Sequence, residues 1–254
     1  MHETLWRLHQ HNAYLEASQV RATLSWQNPS GGLTDLCWGN TKIPGAGLLG
    51  LKMAPDFLTS AGLKSEGYCR GVDLIAAYEQ SQTLPGRVDA LWRMVNPQPG
   101  DTFLSALDLI VSVRTYLLES RPEIAVESRL PAVELMRLAD TERAEFTKLS
   151  GQSAKPLILS SEDGPGCVLF RTPDSEISYA EMVHPIDFQK DELQADSSGG
   201  KSRLLKHRLF TVPLEKGVML RCRVRGAFLN RRGDTTAAAA CYRSFAAAEP
   251  PLNA

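Results

Sequence analysis

The chain has 254 residues, of which 43% are hydrophobic and 22% charged; 28 Lys and Arg against 29 Asp and Glu leave a formal charge of −1. That balance excludes a global field favouring nucleic acid or an anionic membrane, and no apolar run approaches the ~20 residues that cross a bilayer. Cys37, Cys69, Cys167, Cys222 and Cys241 are odd in number and widely spaced, with no CxxC pair. They read as reduced buried thiols rather than a disulfide framework or a structural zinc site. The N-terminus lacks the basic start and apolar core of a signal peptide, so a cytoplasmic protein with no cofactor is expected.

In chain order, residues 1–12 fit a frayed strand or a short helix equally. Strands are expected at Val20, 23–26 and 33–38, with Asn28-Pro29-Ser30-Gly31-Gly32 as the turn between them. Residues 39–66 read as a long loop with one short strand. Residues 68–78 and 87–95 are expected to pair across the connection SQTLPG. Residues 107–117 and 123–130 then form a hairpin around LESRP, with Val111, Val113, Thr115 and Leu117 on one face and Ser112, Arg114 and Tyr116 on the other. Residues 133–149 suggest a strand running into a helical turn. Short strands follow at 156–160 and 167–171, and a longer one at 176–184, stopped by Pro185. Residues 190–202 read as an exposed loop.

The clearest pattern lies in residues 207–230, HRLFTVPLEKGVMLRCRVRGAFLN. Two apolar-rich runs flank Glu215-Lys216-Gly217, which reads as a hairpin connection. In the second run Val218, Leu220, Cys222, Val224 and Phe228 share the core face, and Arg221, Arg223 and Arg225 form a row on the other. Asp234 is expected to cap an Ala-rich helix whose apolar stripe is Ala238, Cys241, Tyr242 and Phe245, ended by Pro250-Pro251. No repeat or linker divides the chain, so one antiparallel β-sandwich domain with a short C-terminal helix is expected across residues 1–254.

Gly45-Ala46-Gly47-Leu48-Leu49-Gly50 matches G-x-G-x-x-G, but a dinucleotide site needs an apolar strand before it and a helix after it, and neither is in place. Gly67-Tyr68-Cys69-Arg70-Gly71 resembles a nucleophile elbow, with Asp163 or Asp174 and His184 or His207 as nominal partners; the segment before it is too polar for one. His9 and His11 have no further ligand at metal-binding spacing, so no metal site is expected. His184 and Asp187 make a candidate catalytic pair, with Asp187 approaching the imidazole past the Pro185 turn; Glu181, three residues from His184, points to the opposite face. The row Arg221, Arg223, Arg225, with ~6.6 Å between members, forms either a charge lattice with Glu123, Glu127 and Glu215 or a site for a sugar or anionic carbohydrate.

The N-terminal strand–SGG–strand passage and the long antiparallel strands that follow resemble the galactose mutarotase-like supersandwich. That resemblance implies sugar binding on a sheet face and, in the epimerases of the group, acid–base ring opening by a histidine and a glutamate; His184 is the histidine it singles out here. The functional expectation is a carbohydrate-binding protein with Arg221, Arg223 and Arg225 at the site. The alternatives are an aldose-1-epimerase-like isomerase using His184, and a non-catalytic protein-interaction domain. No nucleic-acid or membrane partner is expected.

Overall fold

Period-two alternation runs through most of the chain, and the computed structural model resolves it into strands, describing residues 5–53, 63–80, 86–149, 155–173, 176–195 and 202–249. The N-terminal stretch is a hairpin of β1 (Trp6–His9) and β2 (Asn12–Glu16), followed by β3 (Val20–Ser25), a 3-10 turn at Pro29–Gly31 and β4 (Leu33–Trp38). β5 (Thr41–Lys42) and β6 (Gly47–Lys52) come next, so the glycine motif enters a strand and not a helix. A Cβ on Gly47 would stand 2.6 Å from the Gly31 carbonyl oxygen, and one on Gly50 2.7 Å from that of Ser30. These glycines let the 3-10 turn lie directly on β6.

β7 (Leu63–Arg70), β8 (Asp73–Gln80) and β9 (Gly86–Val95) form a meander. Residues 68–78 are therefore not one strand: the chain reverses at Gly71, which takes φ +58°. Residues 81–85, between β8 and β9, lie outside the described residues. Then come β10 (Ser105–Thr115), β11 (Glu119–Ser120), β12 (Ile124–Pro131), β13 (Glu134–Asp140) and β14 (Glu145–Lys148). β15 (Leu157–Ser160), β16 (Cys167–Arg171), β17 (Ile177–Val183) and β18 (Lys190–Ala195) follow. β19 (Ser202–Leu209), β20 (Leu214–Glu215), β21 (Met219–Asn230) and the helix α1 (Asp234–Ala247) complete the set.

Among the described residues, one sheet has ten strands, ordered β1-β2-β3-β4-β6-β12-β19-β18-β15 with β5 on β4, and the other has nine, ordered β14-β13-β16-β17-β21-β10-β9-β8-β7. The architecture is the expected all-β antiparallel sandwich with a C-terminal helix. Its connectivity differs from the sequence reading at both principal hairpins. β10 and β12 lie in different sheets, as do β19 and β21, and among the described residues the crossing segments β11 and β20 pair only with each other. Gly217 does form a turn, at φ +88°, but one that follows a change of sheet. Alternation dictates which side chains point inward; it is satisfied equally by a neighbour in the same sheet or by one across the core.

Other local expectations are corrected in the same way. Residues 133–149 form the β13–β14 hairpin. The supposed exposed loop at 190–202 begins with β18, whose Asp191 and Leu193 are buried. On β21, Cys222, Val224 and Phe228 face the core as expected, whereas Val218 precedes the strand and is 42% exposed. The α1 stripe is buried at all four positions. Its N-cap is Gly233, and Asp234 is instead the first helical residue, accepting hydrogen bonds from Arg171 and Ser178. The expected Pro250-Pro251 stop lies outside the described residues. No helix among the described residues is long and apolar enough to cross a membrane.

The core between the sheets is centred on large side chains held in place by cross-sheet polar contacts. Trp92 on β9 donates its indole N–H to the Leu49 carbonyl on β6 at 3.2 Å, and Phe228 lies 5.1 Å from the Trp38 ring and 5.3 Å from that of Tyr179. Phe228→Ala removes a fully buried ring shared by both sheets and is expected to cost about 3–5 kcal/mol. Reversible denaturant unfolding measures this; a loss of only a few tenths would contradict the packing.

Candidate functional site

Two constellations of charged side chains stand on opposite faces of the nine-stranded sheet. The first is wholly internal. On β17, Tyr179, Glu181 and Val183 point into the core, and on β19 of the opposing sheet His207 points back at them. His207 Nε2 lies 2.9 Å from Glu181 Oε1, and Nδ1 lies 2.6 Å from Asp191 Oδ1. Glu181 Oε2 accepts from the Ser128 hydroxyl at 2.5 Å and from the Tyr179 hydroxyl, and Ser128 in turn accepts the Leu49 N–H at 2.8 Å. Leu49 has φ +54° at an irregularity in the β6–β12 register, which frees that N–H from the ladder.

Burial alone would lower the His207 pKa, but Asp191 and Glu181 outweigh it and push it up to about 10. The ring is therefore an imidazolium donating from both nitrogens. Its 1% exposure leaves no access for a substrate, so chemically the group ties one sheet to the other. Burial likewise pushes the Tyr179 hydroxyl well above its ordinary range. In the sequence His207 stands out only as a nominal triad partner and Glu181 only by its orientation, and Asp191 falls in a stretch that reads as loop.

The second constellation covers the outer face. Cross-strand registers align Arg70, Asp73, Arg93, Asp108 and Arg225 in one row over β7, β8, β9, β10 and β21, alternating in charge. Arg93 grips Asp73 through two bonds of 2.8 and 2.9 Å, and Arg225 grips Asp108 through two of 2.6 and 2.9 Å. The neighbouring row is Tyr68, Ile75, Leu91, Ile110 and Arg223. His184 extends it, its N–H bonded to the Arg223 carbonyl.

All three arginines of the expected row lie on this face. Arg221 donates to Ser112 at 2.9 Å. Arg223 and Arg225 are buried beneath α1: Arg223 donates to the carbonyls of Phe245 and Ala248 at 2.8 and 3.0 Å, and the Phe245 ring lies 4.3 Å from its guanidinium carbon and 4.9 Å from that of Arg225. Burial depresses the Arg223 pKa, whereas for Arg225 the Asp108 carboxylate overcomes burial and raises it. The expected glutamate partners are elsewhere: Glu127 sits 3.5 Å from both Lys52 and Lys206 on the other sheet, and Glu215 is in β20.

His184 and Asp187 are neighbours without a hydrogen bond between their side chains. Pro185 ends β17, and the Asp187 carboxylate takes the place of the missing strand, accepting the Arg223 N–H at 3.1 Å. Burial raises the Asp187 pKa. His184 is 4% exposed, with neither ring nitrogen partnered among the described residues, and meets Phe245 edge-on at 5.7 Å. Cys69 of the nominal elbow is a half-buried strand residue in β7, and His9 and His11 are exposed. Among the described residues no cluster of three His, Cys, Asp or Glu side chains could hold a metal; Asp174 lies outside them.

Two large antiparallel sheets packed face to face, with a charged row across the outside of one, define the class. The particular fold is galactose mutarotase-like. A candidate aldose 1-epimerase from Escherichia coli K12 superposes with a TM-score of 0.58 at 10% identity, over 85% of this chain and 98% of that one. A candidate mutarotase from Salmonella typhimurium gives 0.54 at 10% identity, over 89% and 93%. A galactose mutarotase-like protein from Lactobacillus casei gives 0.52 at 8% identity, over 85% and 99%. No protein-family model and no curated protein matches the sequence.

The internal tie has a pH signature. Below the ordinary histidine pKa of ~6.5 both the folded and the unfolded chain carry the proton; above it only the folded chain does, until about 10. The stabilisation is complete below ~6.5 and is lost as pH rises through the folded value. His207→Gln is expected to destabilise by about 3–5 kcal/mol, because it strands two buried carboxylates. It should also flatten the decline in stability between pH 7 and 10, as measured by urea midpoints across that range.

Proposed function

We propose that the outer face of the nine-stranded sheet is a carbohydrate-binding surface. The observation carrying this reading is the combination of exposed tyrosines with fixed polar pairs. Tyr68 on β7 is 52% exposed and Tyr116, just past the end of β10, 43%, and between β7 and β10 stand Arg93, Arg87 and Asp89 of β9, each about one-third exposed. The apolar face of a sugar ring packs on an aromatic side chain, while guanidinium forks and carboxylates held by their neighbours meet its hydroxyls. Arg221 borders this surface. Arg223 and Arg225 act as positioning residues, one through α1 and the other through Asp108. The likeness to the Salmonella typhimurium candidate mutarotase and the Lactobacillus casei galactose mutarotase-like protein supports a sugar as the ligand class.

A second reading, aldose-1-epimerase-like turnover, is favoured by His184: a buried imidazole with no hydrogen-bond partner on either nitrogen among the described residues, beside Asp187, whose carboxyl pKa burial raises; a substrate reaches the ring only if the Phe245 end of α1, which packs on it, moves aside. Ring opening of an aldose needs one group to take a proton and another to give one, and this pair has the residue types. Magnetisation-exchange NMR between α and β anomers of an aldose distinguishes the two readings. Acceleration that disappears in His184→Ala supports turnover; binding without acceleration leaves recognition alone.

Tyr68→Ala removes an exposed side chain and should leave the unfolding midpoint unchanged. It is expected to weaken sugar binding about tenfold, the equivalent of ~1.4 kcal/mol. Calorimetry against neutral and acidic aldoses measures it. Absence of saturable binding to the parent by any of them counts against the carbohydrate reading.

A further inference from the structure

A cation-lined cleft lies on the ten-stranded sheet, on the opposite side of the sandwich from the surface just described. Its volume is about 370 Å³, within the range of small-molecule pockets. Cross-strand register lines up Lys52, Ala125, Arg208 and Lys190 over β6, β12, β19 and β18. The short alanine between two long cations leaves a depression, and Lys206 from the next row and Arg121 from the loop before β12 close its sides. Four cations line the cleft against one carboxylate, Glu123.

The carboxylates just outside do not match that charge. Glu127 is shared between Lys52 and Lys206 at 3.5 Å from each, and Glu192 is taken by Arg208. The Arg121 side chain is exposed and has no ion pair among the described residues. One side is apolar: half-buried Phe210 lines it, with the core residues Met53, Ile124 and Leu209 beneath. Cations converging beside an apolar wall match a ligand with a compact anionic head and an apolar or planar body. A phosphomonoester fits best, because it carries up to two charges at neutral pH and presents three acceptor oxygens to several donors at once.

We propose that this cleft binds the phosphate group of a small phosphomonoester, with Arg121, Lys206, Arg208 and Lys52 around the phosphate and Phe210 against the organic part. Calorimetry at pH 7.5 with phenyl phosphate as the probe, and inorganic phosphate and phenol as its two halves, tests this. Phenyl phosphate should bind saturably and more tightly than inorganic phosphate, and phenol should not bind. Arg121→Ala, at an exposed loop position, should leave the unfolding midpoint unchanged and weaken phenyl phosphate about tenfold, and Arg208→Glu should abolish binding. Tyr68→Ala, on the other sheet, should bind it as the parent does. The proposal is overturned if phenyl phosphate fails to bind, if phenol binds equally well, if Arg121→Ala retains full affinity, or if Tyr68→Ala loses it.

Discussion

The His207 imidazolium bridges Glu181 on one sheet and Asp191 on the other, and the hydrogen bonds run on through Ser128 to the Leu49 backbone. Burying a carboxylate or an imidazolium alone is strongly unfavourable, so each member of this group requires the others. Apolar packing between sheets tolerates small shifts in register; a chain of directional bonds between named atoms does not. The tie therefore sets the registration of two sheets whose apolar faces alone would leave it loosely defined.

That registration also determines the outer face. The same strands carry both constellations on alternate residues: β17 sends Glu181 inward and Met182 outward, and β21 sends Val224 inward and Arg223 and Arg225 outward. Fixing the inner residues of these strands fixes where the outer charges stand. Those charges are then locked by two bidentate pairs and by α1, which is pinned through Asp234 to Arg171 and Ser178 at its start and through the Phe245 carbonyl to Arg223 near its end. The groups on this face are thus oriented in advance, the condition under which binding costs little ordering entropy.

Much of this was legible from alternation alone: the strand-rich class, the core side of Phe228, the shared face of Arg221, Arg223 and Arg225, the opposite orientations of Glu181 and His184, and the buried stripe of α1. These are properties of a single strand or helix, for which the period of side-chain direction is a sufficient guide. The conversion of residues 190–195 from presumed loop to β18 was not legible, because its inward residues are Asp191 and Leu193, and an aspartate at a core position breaks the apolar pattern that marks a strand.

What the sequence by itself determined, then, is which residues of each element face inward and which face out. Only the tertiary structure decided which elements meet. β10 and β12, like β19 and β21, look like hairpins because they are adjacent in sequence and each has an apolar face, yet each pair divides between the two sheets. The meeting of Glu181, Asp191 and His207 follows from that division, and so does the pairing of Arg225 with Asp108, 117 positions away. Contacts at such separations leave no periodic trace along the chain. They arise from the packing of whole sheets, where the cost of an unpaired buried charge selects one arrangement among several that would bury the same apolar surface.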